Sequence, residues 1–198
     1  YQYEPGTNRC TDEPLKVGNK QQYAALLRFD VSGIPAGSTV MQASLQVYAT
    51  GWGGANMGLD AYRILRNTTY CQANWTQAQA GNNWATAGCN NTVSDRSGTA
   101  ESSVTTSGIN TWYSFDVTGL VQGWVAGSVV NNGVLLRGAS SLSTATFYFA
   151  SNHYGMVSLR PKLVVTYRSG GAPPTPTATA TATRTPTVTL TPTQGAVS

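Results

Sequence analysis

Few side chains in this chain could carry out catalysis. There is one histidine, His153, and there are eight acids: Glu4, Asp12, Glu13, Asp30, Asp60, Asp95, Glu101 and Asp116. A Ser-His-Asp mechanism would need His153 as its base, yet no Gly-x-Ser-x-Gly elbow occurs. Paired carboxylates are the other route, as in glycoside hydrolysis. Asp30 and Asp116, however, end apolar runs before turn residues, where Asp ordinarily accepts backbone N–H groups. Asp60 sits mid-run without a turn to explain it and is expected to pair with Arg63 or Arg66. No loop is dense enough in acids for calcium, and neither zinc nor iron–sulfur spacing is present. No catalytic residue, metal or cofactor is expected.

Aromatic side chains offer a different chemistry. Sugar rings stack their C–H faces on Trp and Tyr, which are large, rigid and polar at one tip. Trp52, Tyr62, Trp75 and Trp84 lie in or beside Gly/Asn-rich segments and are the candidates for such stacking. Trp112 and Trp124 fall in strand and helix patterns and are assigned to the core. Asn67-Thr68-Thr69, Asn74-Trp75-Thr76 and Asn90-Asn91-Thr92 are N-glycosylation triplets, so Asn67, Asn74 and Asn90 are candidate attachment points. Three cysteines are present, Cys10, Cys71 and Cys89. Cys71 and Cys89 bracket the least strand-like segment. A bridge between them would close a loop of about 18 residues, stabilising by on the order of 3 kcal/mol, and leave Cys10 over.

These groups are carried on short strands. Met41, Ala43, Leu45, Val47 and Ala49 alternate with polar or half-polar neighbours, as do Ala25, Leu27, Phe29 and Val31. Tyr113-Phe115-Val117, Ala145-Phe147-Phe149 and Leu163-Val165-Tyr167 repeat the pattern. Asn131-Asn132-Gly133 signals a turn before Val134-Leu135-Leu136. One helix is expected over Thr118–Ala126, capped by Thr118, with Val121, Trp124 and Val125 on one face and Gly127 ending it. The fold class is therefore all-β, a β-sandwich or jelly roll over residues 1–168 with one short helix.

Composition narrows the partners. Only 10% of the 198 residues are charged and the formal balance is +4. The basic residues form no cluster, which argues against nucleic acid. No apolar run approaches the roughly 20 residues of a membrane span. No signal-peptide pattern is visible, and a mature secreted or cell-surface product is expected.

Residues 169–198 form a Thr/Pro-rich arm or linker. Thr175, Thr177, Thr179, Thr181, Thr183, Thr185, Thr187, Thr189, Thr191 and Thr193 occupy every odd position, and all ten are candidate glycan carriers. In an extended backbone this period of two places every hydroxyl on one face, with Val188 and Leu190 on the other. Such an arm can dock on the edge of a neighbouring sandwich. Val188 and Leu190 are the candidate assembly residues.

The order of several segments adds a resemblance. They are Asp12–Gly18, Leu26–Gly37, Ala43–Tyr48, Phe115–Thr118 with Leu120–Val125, Gly133–Arg137 and Arg160–Leu163. Together they resemble the DNRLRE-domain family of extracellular proteins over roughly residues 1–168, although the eponymous hexapeptide is not literal. The resemblance implies a secreted jelly roll related to carbohydrate-binding modules, with acidic polysaccharides such as alginate among their ligands. Two non-enzymatic functions follow. The two-sided arm favours a structural subunit of a fibre or filament, glycosylated and assembling head-to-tail with copies of itself. The alternative is a carbohydrate-binding module on a Thr/Pro linker.

Overall fold

The computed structural model describes residues 1–170 and the backbone of residues 187–190. In chain order the elements are β1 (Pro14–Gly18), β2 (Ala24–Leu27), β3 (Thr39–Gly53), β4 (Gly58–Arg63), β5 (Gln77–Gln79), β6 (Asn82–Asn83), β7 (Ser102–Thr105) and β8 (Thr111–Asp116). They continue with α1 (Thr118–Val125), β9 (Val134–Gly138), β10 (Thr146–Ala150), a 3₁₀ turn (Val157–Leu159), β11 (Lys162–Arg168) and β12 (Thr187–Leu190).

Two antiparallel sheets result. The six-stranded one is built round β3: β10 and β11 lie end to end along one of its edges, and β8 follows the other. β1 flanks β10, and β12 flanks β11. The second sheet runs β2-β9-β4-β7. Alternation decides what lies between them. Leu45, Val47, Phe115, Phe147, Phe149, Leu163 and Val165 from the first sheet meet Ala25, Leu27, Leu59, Ala61, Val134 and Leu136 from the second in one apolar core. The expected sandwich is observed.

Some expectations change in detail. Met41 is exposed and Val40 is buried instead, because the β3–β11 register shifts between Thr166 and Tyr167 and turns Met41 outward. α1 ends as expected, with Gly127 at φ +70°. Its first N–H, on Thr118, is received by the Asp116 carboxylate (3.0 Å), so Asp116 does the work expected of Thr118; the Thr118 hydroxyl instead accepts the Ala43 N–H. Trp124 is buried, as expected.

The outer face of the four-stranded sheet carries a second apolar cluster, where Leu26, Leu135 and Ile64 are covered by Tyr70, Ala73, Ala78, Trp84 and Cys89. The segment between β4 and β7 is therefore a packed cover. Tyr70 anchors it by donating its hydroxyl to the carbonyl of Asn132 (2.8 Å). A side chain at Gly133, whose φ is +90°, would collide with that hydroxyl.

The disulfide expectation is corrected: Cys10 bonds Cys71, and Cys89 is free and buried. Asn8 donates to the Tyr70 carbonyl (2.9 Å) and lays the N-terminal segment along the Tyr70–Ala73 turn, which brings the two Cα atoms to 5.1 Å. Cys89 points into the cover, and burial pushes its thiol pKa up.

β12 pairs with β11 of its own chain, placing Val188 opposite Val165 and Leu190 opposite Leu163. The backbone of Thr187–Leu190 therefore runs along its own sandwich. Thr187 and Thr189 belong to this strand. Thr175, Thr177, Thr179, Thr181, Thr183, Thr185, Thr191 and Thr193 lie outside the described residues.

Candidate functional site

The alternation that buries Tyr113 and Phe115 turns Trp112 to the outer face of the six-stranded sheet. The same parity turns out Tyr48 from β3, Tyr148 from β10, Lys16 from β1 and Lys162 from β11, all half-buried. Register arranges them in rows. Lys162 is opposite Gln46, which is opposite Ser114 across β3; Tyr48 is opposite Trp112; Gly51, Tyr148 and Lys16 form the next row.

Contacts within the rows hold the rings in place. Tyr48 meets Trp112 edge-to-face, with centroids 5.3 Å apart. The Lys162 ammonium lies 3.9 Å from the Trp112 ring centroid, and that of Lys16 lies 5.8 Å from the Tyr148 ring. Tyr148 packs over Gly51, where even a Cβ would stand at an ordinary 3.5 Å from the ring. Among the described residues of these strands, Asp116 carries the one carboxylate. It is occupied by Thr118, whose hydroxyl (2.6 Å) and N–H hold its pKa below the usual range. The face thus offers aromatic surface, an amide, hydroxyls and two cations, a set able to stack and hydrogen-bond a sugar chain and to pair with its carboxylates.

The profile of carbohydrate-binding module family 96 matches residues 2–167. The chain belongs to this family. No curated protein matches the chain. The family is one of binding modules rather than catalysts, and the match runs from before β1 into β11.

The stacking residues expected in this family-96 module do not converge. Trp52 stands at the end of β3 against Phe147, 43% exposed. Tyr62, Trp75 and Trp84 lie on or over the other sheet. Tyr62 donates its hydroxyl to Asp60 (2.9 Å) and is covered by the Arg96 guanidinium, 4.1 Å from its ring centroid. Trp84 is buried, with its indole N–H on the Asn74 carbonyl, which is a structural role. Trp75 lies over Gly88, and the cavity beside it holds about 30 Å³, water-sized rather than sugar-sized. Trp112, expected in the core, is the correction that matters most. Its signal was present in the sequence: if Tyr113, Phe115 and Val117 face in, Trp112 must face out, and the same count exposes Tyr48 and Tyr148.

The remaining expectations are also placed. Asp60 accepts from Ser103 (2.6 Å) and Tyr62, while Arg66 pairs with Asp95 (2.7 Å), so the expected Asp60 ion pair is replaced. Asp30 accepts the Ser32 N–H, the turn role expected of it. His153 is exposed in a loop. Asn67 is an exposed sequon side chain. The Asn74 amide N–H meets the Gly6 carbonyl (3.2 Å), and the Asn90 oxygen receives the Arg137 guanidinium, so both are already engaged. Among the described residues, no three His, Cys, Asp or Glu side chains gather to hold a metal, and no helix is long and apolar enough to cross a membrane.

Proposed function

We propose that this module binds an acidic polysaccharide along the outer face of its six-stranded sheet. The observation that carries the reading is Trp112, held on a solvent-facing strand between the edge of Tyr48 and the ammonium of Lys162. A sugar ring stacking on Trp112 moves that ammonium off the indole, and the freed lysine pairs with a carboxylate of the next sugar unit. Lys16 beside Tyr148 repeats the combination further along the face. This suits a uronic acid chain, and alginate is the example that the resemblance above suggests. The Cys10–Cys71 bond fits work in an oxidising, extracellular setting.

Affinity electrophoresis and calorimetry with alginate test the reading. Trp112→Ala is expected to weaken binding at least about tenfold, equivalent to roughly 1.4 kcal/mol, while the sandwich stays folded at the assay temperature. Lys162→Ala is expected to reduce the salt dependence of what remains. Undiminished binding by Trp112→Ala, with loss in Trp75→Ala, would move the site to the other sheet.

A further inference from the structure

The other sheet carries a second opening, unrelated to the aromatic rows. The chain before β7 runs beside β4 and is bonded to it at two points: the Ser97 N–H donates to the Arg63 carbonyl (2.9 Å), and the Glu101 N–H to the Ala61 carbonyl (2.8 Å). The stretch Gly98–Ala100 must fit between bonds only two residues apart on β4, so it bows away from the sheet edge. The Ser97 hydroxyl donates to the Thr99 carbonyl (2.8 Å) and fixes the bow. Between bow and strand is a cleft of about 400 Å³, lined by Arg63, Thr92, Ser97, Gly98, Thr99 and Glu101 among others. That volume lies within the ordinary range of small-molecule sites.

Its chemistry is unusual for a surface recess. Arg63 and Glu101 line the same cleft, yet among the described residues neither takes part in an ion pair. Arg63 is half-buried, with its Nε closed off from solvent, so a ligand would meet the outer nitrogens of its guanidinium. A guanidinium offers several donors and a carboxylate only acceptors. A pair of neighbouring hydroxyls is both donor and acceptor, so it can bridge the two groups. The opposite charges cancel, and a carboxylate on the ligand would meet Glu101. No aromatic side chain lines the opening, so a sugar would be gripped by its hydroxyl edge rather than stacked.

We infer that the cleft between Arg63 and Glu101 is a second binding site, for the vicinal hydroxyls of a neutral sugar. The module then has two recognition surfaces on different sheets, one selecting charge and the other rejecting it. One copy can hold an acidic chain on one side and a neutral glycan on the other.

Heteronuclear NMR of the full chain, titrated with methyl mannoside, methyl galactoside and methyl glucoside, tests this. At least one of the three is expected to give saturable shifts at the amides of Gly98, Thr99 and Ala100. Those shifts should persist in Trp112→Ala. They should require at least about tenfold more sugar in Glu101→Gln and in Arg63→Gln, each checked for an unchanged melting temperature. Glu101 is exposed, so its variant guards against a folding defect at Arg63. The inference is overturned if none of the three sugars moves these amides, if the shifts vanish with Trp112, or if both cleft variants bind like the parent. Alginate shifts at the Trp112 indole are read in the same spectra, so either site can fail alone.

Discussion

Asp95 has no exposed side-chain surface and is nonetheless ionised. Burial pushes its carboxyl pKa up, but the N–H groups of Thr86 and Ala85 (2.9 Å each), the Arg66 Nε (2.7 Å) and the Asn91 N–H (3.2 Å) outweigh burial and hold it below the usual carboxylate range. Those donors come from separate turns, so one carboxylate ties the cover together. A lowered folded-state pKa means that the stabilisation is complete above the unfolded value, about 3.9, and is lost as pH falls through the folded value. Asp95→Asn is expected to cost about 2 kcal/mol at neutral pH, because the amide NH2 replaces one of the oxygens that accept the Thr86, Ala85 and Asn91 N–H groups. It should also flatten the fall in stability below about pH 4. Urea unfolding across a pH series measures both; a parallel acid limb in the variant would assign that limb to other groups.

At the scale of elements, the cover over β2, β9 and β4 is what the sequence hid. The strands were legible because they bury one face: period-two alternation marked β3, β8, β10 and β11, and Gly127 marked the end of α1. The cover has no period. Its order rests on pairings remote in sequence, such as Asn8 with Tyr70 and Arg137 with Asn90, and no local pattern encodes them. The same blindness misplaced the disulfide, since composition pointed to the nearer cysteine while the bond joins residues 61 apart. Trp112 was misjudged for another reason: an aromatic residue in a strand was assigned to the core by type, although the parity of its neighbours faced it outward. The bond's role is testable. Replacing Cys10 and Cys71 with Ser is expected to lower stability by about 4 kcal/mol, given the long loop. Hydrogen exchange should show protection lost first between β4 and β7. Uniform loss across both sheets would mean that the cover and the sandwich unfold as one unit.

At the scale of the whole molecule, the sandwich separates two surfaces that different partners could use, and its β11 edge is covered by β12. A strand edge without a partner is a template for pairing with another chain. A chain ending at Gly170 is therefore expected to keep the melting temperature of the sandwich to within a few degrees but to self-associate through Lys162–Arg168. Sedimentation velocity over a concentration series would detect this by comparison with the full chain. A truncated chain that stays monomeric would show that the edge needs no cover. The expected sign is opposite to that for a strand donated between copies, where removing the arm would abolish assembly.

The way β12 joins β11 also has a mechanical consequence. Load on the chain beyond Leu190 meets the Leu190–Leu163 pair first and opens the strand pairs in turn rather than all at once. The cap would then peel at low force, before the two sheets bear any tension. The residues from Ser169 to Leu190 reach at most roughly 75 Å when fully extended, at about 3.4 Å each. A module gripping a polysaccharide while its far end is tugged would lengthen before it let go.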